Sequence, residues 1–146
     1  MSAVVLRRAT EADREAVLAL LADAGLAIEG VAESFARFVV AAKSSGEVVG
    51  AAGLERYEDA GLVRSVVVAK EARGSSVGSA LARWVLDDAR ALGVRELYLL
   101  TTSADAFFAR LGFARVTRES VPAHVRASGQ FAGQCCASAT VMRLAL

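Results

Sequence analysis

The sequence predicts a mixed α+β fold: one central, twisted, mostly antiparallel sheet with helices on both faces. Three observations predict it. Short apolar runs bounded by turn residues recur along the whole chain, and they outnumber the segments with helical spacing. Helices stand between strands only in places, so most strand neighbours must pair antiparallel. Hydrophobic content of 55% with only 6% aromatic residues describes a core built mainly of Ala, Val and Leu.

Residues 4–6 read as a first strand. Thr10 with Asp13 three residues on resembles a capping box, after which Val17, Leu18, Leu21 and Ala24 repeat at helical spacing until Gly25. Residues 29–36 give a short second helix or an irregular connection. Residues 38–41 and 48–57 form a hairpin around a turn at 44–47, and Gly50 and Gly53 inside its second strand suggest a bulge or a close backbone approach. A turn at 58–61 leads to a strand at 62–69. The helix at 77–92 places Val77, Leu81, Trp84, Val85 and Leu92 on one face, with Trp84 in the core, and Gly93 ends it. Residues 97–100 are a buried strand and 104–111 a helix closed by Gly112. A strand at 113–117, a polar stretch to 134 and a last strand near 137–144 complete the order.

The bulk composition excludes several classes. At 146 residues the chain reads as one domain, residues 1–146, large enough to bury a core without staples. A formal net charge of +1, with charges interspersed, gives no general pull toward nucleic acid or membrane. No apolar run has the length of a membrane span and no signal peptide opens the chain, so the expected location is the cytoplasm. The two cysteines, Cys135 and Cys136, are adjacent and cannot staple distant segments. With one histidine and no Cys-x-x-Cys, no metal site is expected.

The most informative stretch is Arg73-Gly74-Ser75-Ser76-Val77-Gly78. It joins a strand to a helix through small residues, which presents unpaired backbone N–H groups and the positive end of a helix dipole to one point. Gly74, Ser75, Ser76 and Ser79 have side chains short enough for a bulky anion to reach the backbone. That is a site for a pyrophosphate. Three glycines in G-x-G-x-x-G are lacking, and Gly78 is not followed by Lys, so neither the dinucleotide fingerprint nor the P-loop fits.

The stretch resembles the acyl-CoA loop of the GCN5-related N-acetyltransferases (GNAT), Arg/Gln-x-x-Gly-x-Gly/Ala. Arg73 and Gly78 match its ends, and Ser76 stands where the family has its middle Gly. A second family segment, Asn-x-x-Ala-x-x-Phe-Tyr-x-x-x-Gly-Phe, is matched after the next strand by Ala104, Phe107, Gly112 and Phe113. Thr101 replaces the Asn and Phe108 the Tyr. The resemblance covers roughly residues 3 to 118 and implies acetyl-CoA as co-substrate, a small-molecule amine as acceptor and direct attack with no acyl-enzyme. It implies pantetheine along the backbone of Val66, Val67 and Val68, and the pyrophosphate on Gly74, Ser75, Ser76, Val77, Gly78 and Ser79 with the charge of Arg73. Phe108, in the Tyr position, is a further candidate coenzyme contact.

Acetyl transfer to an amine needs a neutral nucleophile, and an ordinary amine with a pKa of roughly 8–10 is mostly protonated at pH 7. A carboxylate can accept that proton directly or through water. Strand alternation puts Glu55 and Tyr57 on one face, opposite Leu54, so Glu55 is the candidate base; a surface ion pair with Arg56 or Arg64 is the competing role. Because Phe108 cannot donate a proton, Tyr57, Tyr98 or water is the candidate acid. Phe107, Phe108 and Phe113 also suit a core, and His124 a surface position.

Residues 53–57, 62–65, 97–102 and 107–113, together with Val121, Pro122, Gln130, Phe131, Cys135, Ser138 and Met142, are similar to a bacterial branch of the family associated with arsenic resistance. That resemblance implies an amino-acid-like or organoarsenical acceptor. Arg64, Ser65, Thr101 and Thr102 then form a polar acceptor pocket, with Arg64 binding a carboxylate or oxyanion. An acyl-CoA-binding or ligand-sensing domain, and a metalloid-binding protein using the paired thiols, are the alternatives. The C-terminal segment is a candidate homodimer surface.

Overall fold

The computed structural model describes residues 4–26, 28–74, 76–128, 131 and 139–146. Seven strands are described: β1 (Val4–Arg8), β2 (Val39–Lys43), β3 (Val48–Tyr57), β4 (Ala60–Val68), β5 (Glu96–Thr101), β6 (Ala114–Arg115) and β7 (Thr140–Ala145). They lie in one sheet in the order β1-β2-β3-β4-β5-β7-β6. Every pair is antiparallel except β4 with β5. That parallel pair needs a crossover, which the helix α3 (Val77–Ala91) supplies.

Strand alternation sends side chains to two cores. On one face Leu81, Val85 and Ala89 of α3 pack on Val39, Ala41, Leu54, Val63, Leu97 and Leu99, with Phe108 of α4 (Asp105–Arg110). On the other, Val17 and Leu21 of α1 (Arg14–Asp23) and Val31 of α2 (Val31–Ser34) meet Phe38, Val40, Ala51 and Val67. Val125 of α5 (Ala123–Arg126) extends that second face over Leu62, Tyr98 and Val141. The expected fold class therefore holds.

The capping box before α1 is present: Asp13 accepts from the Thr10 amide at 2.7 Å, and a single 3₁₀ turn (Glu11–Asp13) opens the helix. Asp13 also takes both Arg7 guanidinium nitrogens, at 2.7 and 2.9 Å. These bonds hold its carboxyl well below the usual range, at about 2, Arg7 being the larger cause. The two glycines of β3 answer to close approach and to a bulge together. A Cβ on Gly53 would lie 2.4 Å from the buried Phe38 ring, one on Gly50 2.9 Å from Leu81, and the β3–β4 register shifts between Ala51 and Gly53.

Four local expectations change. The strand expected at 113–117 is only Ala114–Arg115, because Phe113 turns into the core and the chain leaves for a 3₁₀ turn at Arg118–Ser120. The polar stretch contains α5, opened by Pro122, whose fixed φ suits a helix start. β4 begins at Ala60, so the turn is tighter than 58–61 and Glu58 takes a positive φ of 59°. Trp84 is half-buried at the edge of the core. Of the last strand, residues 137 and 138 lie outside the described residues, as do Ser75, Cys135 and Cys136. No helix among the described residues is long and apolar enough to cross a membrane.

Candidate active site

The site begins where the parallel pair comes apart. β4 and β5 pair only over Ala60–Glu96, Gly61–Leu97 and Leu62–Tyr98. Beyond Leu62, β5 continues against β7 as far as Thr101–Thr140, while β4 continues against β3. A fork opens between the two strands. Ser65, with a positive φ of 60°, is the extra residue that turns β4 there. Val63 faces α3 and Arg64 the other face, yet Val66 and Val68 face α3 and Val67 faces α1, so the alternation slips at Ser65.

The backbone past this bulge has an open edge. Ala69 donates its N–H to Val49 of β3 at 2.8 Å. Antiparallel alternation then points the N–H and C=O of Val68, and by the same count Val66, away from β3 and into the fork. An extended amide-bearing ligand could add there as a strand would. The C=O of Val68 accepts from the Nε of Arg73 at 3.0 Å, which ties the following loop to this edge.

That loop ends at the N-terminus of α3. Ala80 donates to Ser76, so the helix ladder starts there. The amides of Val77, Gly78 and Ser79 have no backbone acceptor among the described residues. Three aimed donors, on a helix of 15 residues, form an anion site. Gly74 takes a φ of +81° with open space where a Cβ would be. Ser76 caps the helix in the left-handed region, φ 64° and ψ 11°, a conformation that costs a non-glycine residue about 1 kcal/mol or more. At Gly78 a Cβ would sit 3.6 Å from Val68 and 3.7 Å from Phe107, so Phe107 is the aromatic neighbour of this turn.

On the other face, at the fork's mouth, three polar side chains meet. Glu55 and Tyr57 project together from β3, and Tyr57 donates its hydroxyl to Glu55 Oε1 at 2.5 Å. Arg64 of β4 donates from Nη1 to Glu55 Oε2 at 2.7 Å and from Nε to Ser65 Oγ at 3.0 Å. The Arg64 side chain is 1% exposed and that of Glu55 12%. The phenol of Tyr57 is pushed up to about 12, first by burial and then by the Glu55 carboxylate. Gly30, with φ +82°, closes over the cluster: a Cβ there would be 2.7 Å from Arg64 Nη1. An open strand edge and an anion cradle at a helix start, with a half-buried carboxylate–phenol pair on the opposite face, match one family.

The chain belongs to the acetyltransferase (GNAT) family, whose model matches residues 7–113. This makes the enzyme an acyl-CoA-dependent N-acetyltransferase by class. It is 34% identical over 131 residues to the protein YwlB of Bacillus subtilis, covering 86% of each chain. An amino-acid acetyltransferase of Ralstonia nicotianae is 33% identical over 79 residues, which are 53% of this chain and 18% of that one. Among solved structures, Rv2747 of Mycobacterium tuberculosis in complex with CoA and NLQ superposes with a TM-score of 0.84 at 27% identity, covering 97% of this chain and 99% of that one. The N-acetylglutamate synthase of Neisseria gonorrhoeae, complexed with coenzyme A and N-acetyl-glutamate, shares the fold at 22% identity and a TM-score of 0.84, over 100% of this chain and 36% of that one.

The remaining candidates in the acetyltransferase divide by position. Thr101 is buried at the end of β5 and its Oγ1 accepts from the Ala104 amide at 2.9 Å, while Thr102 beside it is exposed. Phe108 is buried, edge-to-face with both Phe107 and Phe113. Tyr98 is buried beside Glu96, which Arg143 also binds, and Glu55 is not among its partners. His124 is exposed, 4.0 Å from Glu58. Sequence reasoning missed Gly30, which only the positive-φ demand before a short helix could have flagged.

Proposed function

We propose that this acetyltransferase moves an acetyl group from acetyl-CoA to the amine of a small, amino-acid-like or organoarsenical compound, in a resistance role. The observation that carries the reading is the Glu55–Tyr57–Arg64 cluster at the mouth of the β4–β5 fork. Relatives described as amino-acid acetyltransferase and N-acetylglutamate synthase support an amino-acid-like acceptor. The likeness of the sequence to the arsenic-resistance branch supports the organoarsenical one.

The protein's residues fit the coenzyme. Gly74, Ser75, Ser76, Val77, Gly78 and Ser79 would hold its diphosphate, with Arg73 adding charge, and the backbone of Val66, Val67 and Val68 its pantetheine arm. Phe108 serves as apolar support behind that arm. The coenzyme supplies the acetyl group as a thioester, so a C–N bond forms as the C–S bond breaks.

Glu55 is the base. Tyr57 holds its proton at neutral pH and aims it at Glu55, so it can pass that proton on while taking one from the incoming ammonium. Arg64 holds the Glu55 carboxylate in place, and with Ser65, Thr101 and Thr102 forms the polar acceptor pocket. A free thiol has a pKa near 8.5, so the departing thiolate takes a proton from water without a dedicated acid, consistent with phenylalanine at position 108.

A thiol-release assay over a panel of amines and amino acids tests the reading. Turnover that falls at least tenfold in Glu55→Gln, with CoA affinity unchanged, supports it. CoA binding without turnover on any amine would instead favour a ligand-sensing domain, the alternative that Phe108 and the strained Ser76 suggest.

A further inference from the structure

A cavity of about 240 Å³ opens beside α5, and its walls belong to none of the machinery described above. Among the described residues those walls are Arg118, Glu119, Arg126 and Phe131. Local structure brings them together. Arg118 and Glu119 stand in the 3₁₀ turn that follows β6, and Arg126 ends α5 on the far side of Pro122. Arg126 donates its Nε to the Val121 C=O at 3.0 Å, which draws the side chain back over that turn. Phe131 packs on the apolar cluster of Leu62, Val121 and Val125. The Arg118 guanidinium lies over its ring, 5.6 Å from the centroid.

The wall selects a ligand by charge, shape and size. With Nε committed to Val121, Arg126 keeps its two Nη groups, which have no acceptor among the described residues. Two such donors side by side match the two oxygens of one carboxylate end-on. The carboxylate in the wall, Glu119, is exposed and forms no ion pair with Arg126, so it does not take that place. Phe131 adds an apolar surface beside the charge. The volume falls below the range of about 300–1,000 Å³ usual for drug-sized ligands, so the occupant is small.

We propose that this cavity binds a small organic carboxylate with a flat apolar body. The carboxylate sits on the Arg126 Nη groups, and the body lies beside the Arg118–Phe131 stack. No residue of the fork or the coenzyme loop takes part, so the site is independent of acetyl transfer.

Benzoate has that form and is the probe. Its binding is followed on the backbone amide and arginine Nε–H signals of the labelled protein, so the site is read residue by residue. The shifts should gather on Arg118, Glu119, Arg126 and Phe131 with a Kd of about 1 mM. Saturating CoA should leave that value within about twofold. Benzamide has the same shape without the charge and should bind about tenfold more weakly or worse. Arg126→Gln keeps the side chain's reach and should weaken benzoate about tenfold. Phe131→Leu should weaken benzoate about threefold and leave acetate, which has no ring, unchanged. The urea midpoint of each variant checks that it folds. Shifts that fall elsewhere, displacement of benzoate by CoA, equal binding of benzamide, or an unchanged benzoate Kd in either variant overturns the proposal.

Discussion

Arg64 and Glu55 stand on neighbouring strands and join by an ion pair of 2.7 Å, with Gly30 laid over the guanidinium. The side chain of Arg64 is out of contact with water, so its charge relies on that carboxylate. Removing Glu55 takes its carboxylate away from a buried guanidinium, at a cost of about 3–5 kcal/mol. Glu55→Ala should therefore lower the urea midpoint steeply. Glu55→Gln keeps the shape and should lose activity well beyond its loss of stability. Equal losses of both in the two variants would contradict a chemical role for Glu55.

Gly30 is the lid on this pair. Its φ of +82° and the 2.7 Å approach to Arg64 leave no room for a methyl group. Gly30→Ala should destabilise by about 1–3 kcal/mol and raise the KM for the amine more than that for acetyl-CoA. A KM effect confined to the coenzyme would place Gly30 elsewhere in the reaction.

Ser76 is the departure from the family loop that matters physically. It holds φ 64°, where glycine is at ease and serine is strained. Ser76→Gly should stabilise the protein by about 0.5–1 kcal/mol, since relief of strain exceeds the extra chain entropy of glycine. Urea unfolding reads this directly, and a loss of stability would show that contacts of the Ser76 side chain outweigh its backbone strain.

Asp13 predicts the acid limb of stability. Its folded value of about 2 lies below the ordinary 3.8, so the unfolded chain binds the proton more tightly. The stabilisation is complete above about pH 4 and is lost as pH falls through about 2. Roughly 1–2 kcal/mol rides on it, discounted for the exposed Arg7 partner. Asp13→Asn should flatten the stability profile between about pH 4 and 2; an unchanged slope would assign that limb to other carboxylates.

Much of this was legible in the sequence because it is local. The capping box at Thr10 and Asp13, the glycines of β3 and the small-residue turn before α3 each carry a short-range physical demand. Alternation alone placed Glu55 beside Tyr57, and the Glu55–Arg64 pair was the competing role foreseen for that carboxylate. What stayed hidden is set by tertiary approach. Gly30 reaches Arg64 only because the turn that opens α2 folds over the Glu55–Arg64 pair. The bulge at Ser65 has no glycine to betray it, since a serine bears the positive φ.

The central claim is that the first amides of α3 cradle the diphosphate of coenzyme A. Backbone amide chemical shifts followed during a titration with CoA test it most directly. The largest movements should fall on Val77, Gly78 and Ser79, with smaller ones along Val66 to Val68. Saturating CoA that leaves those amides unmoved would contradict the account.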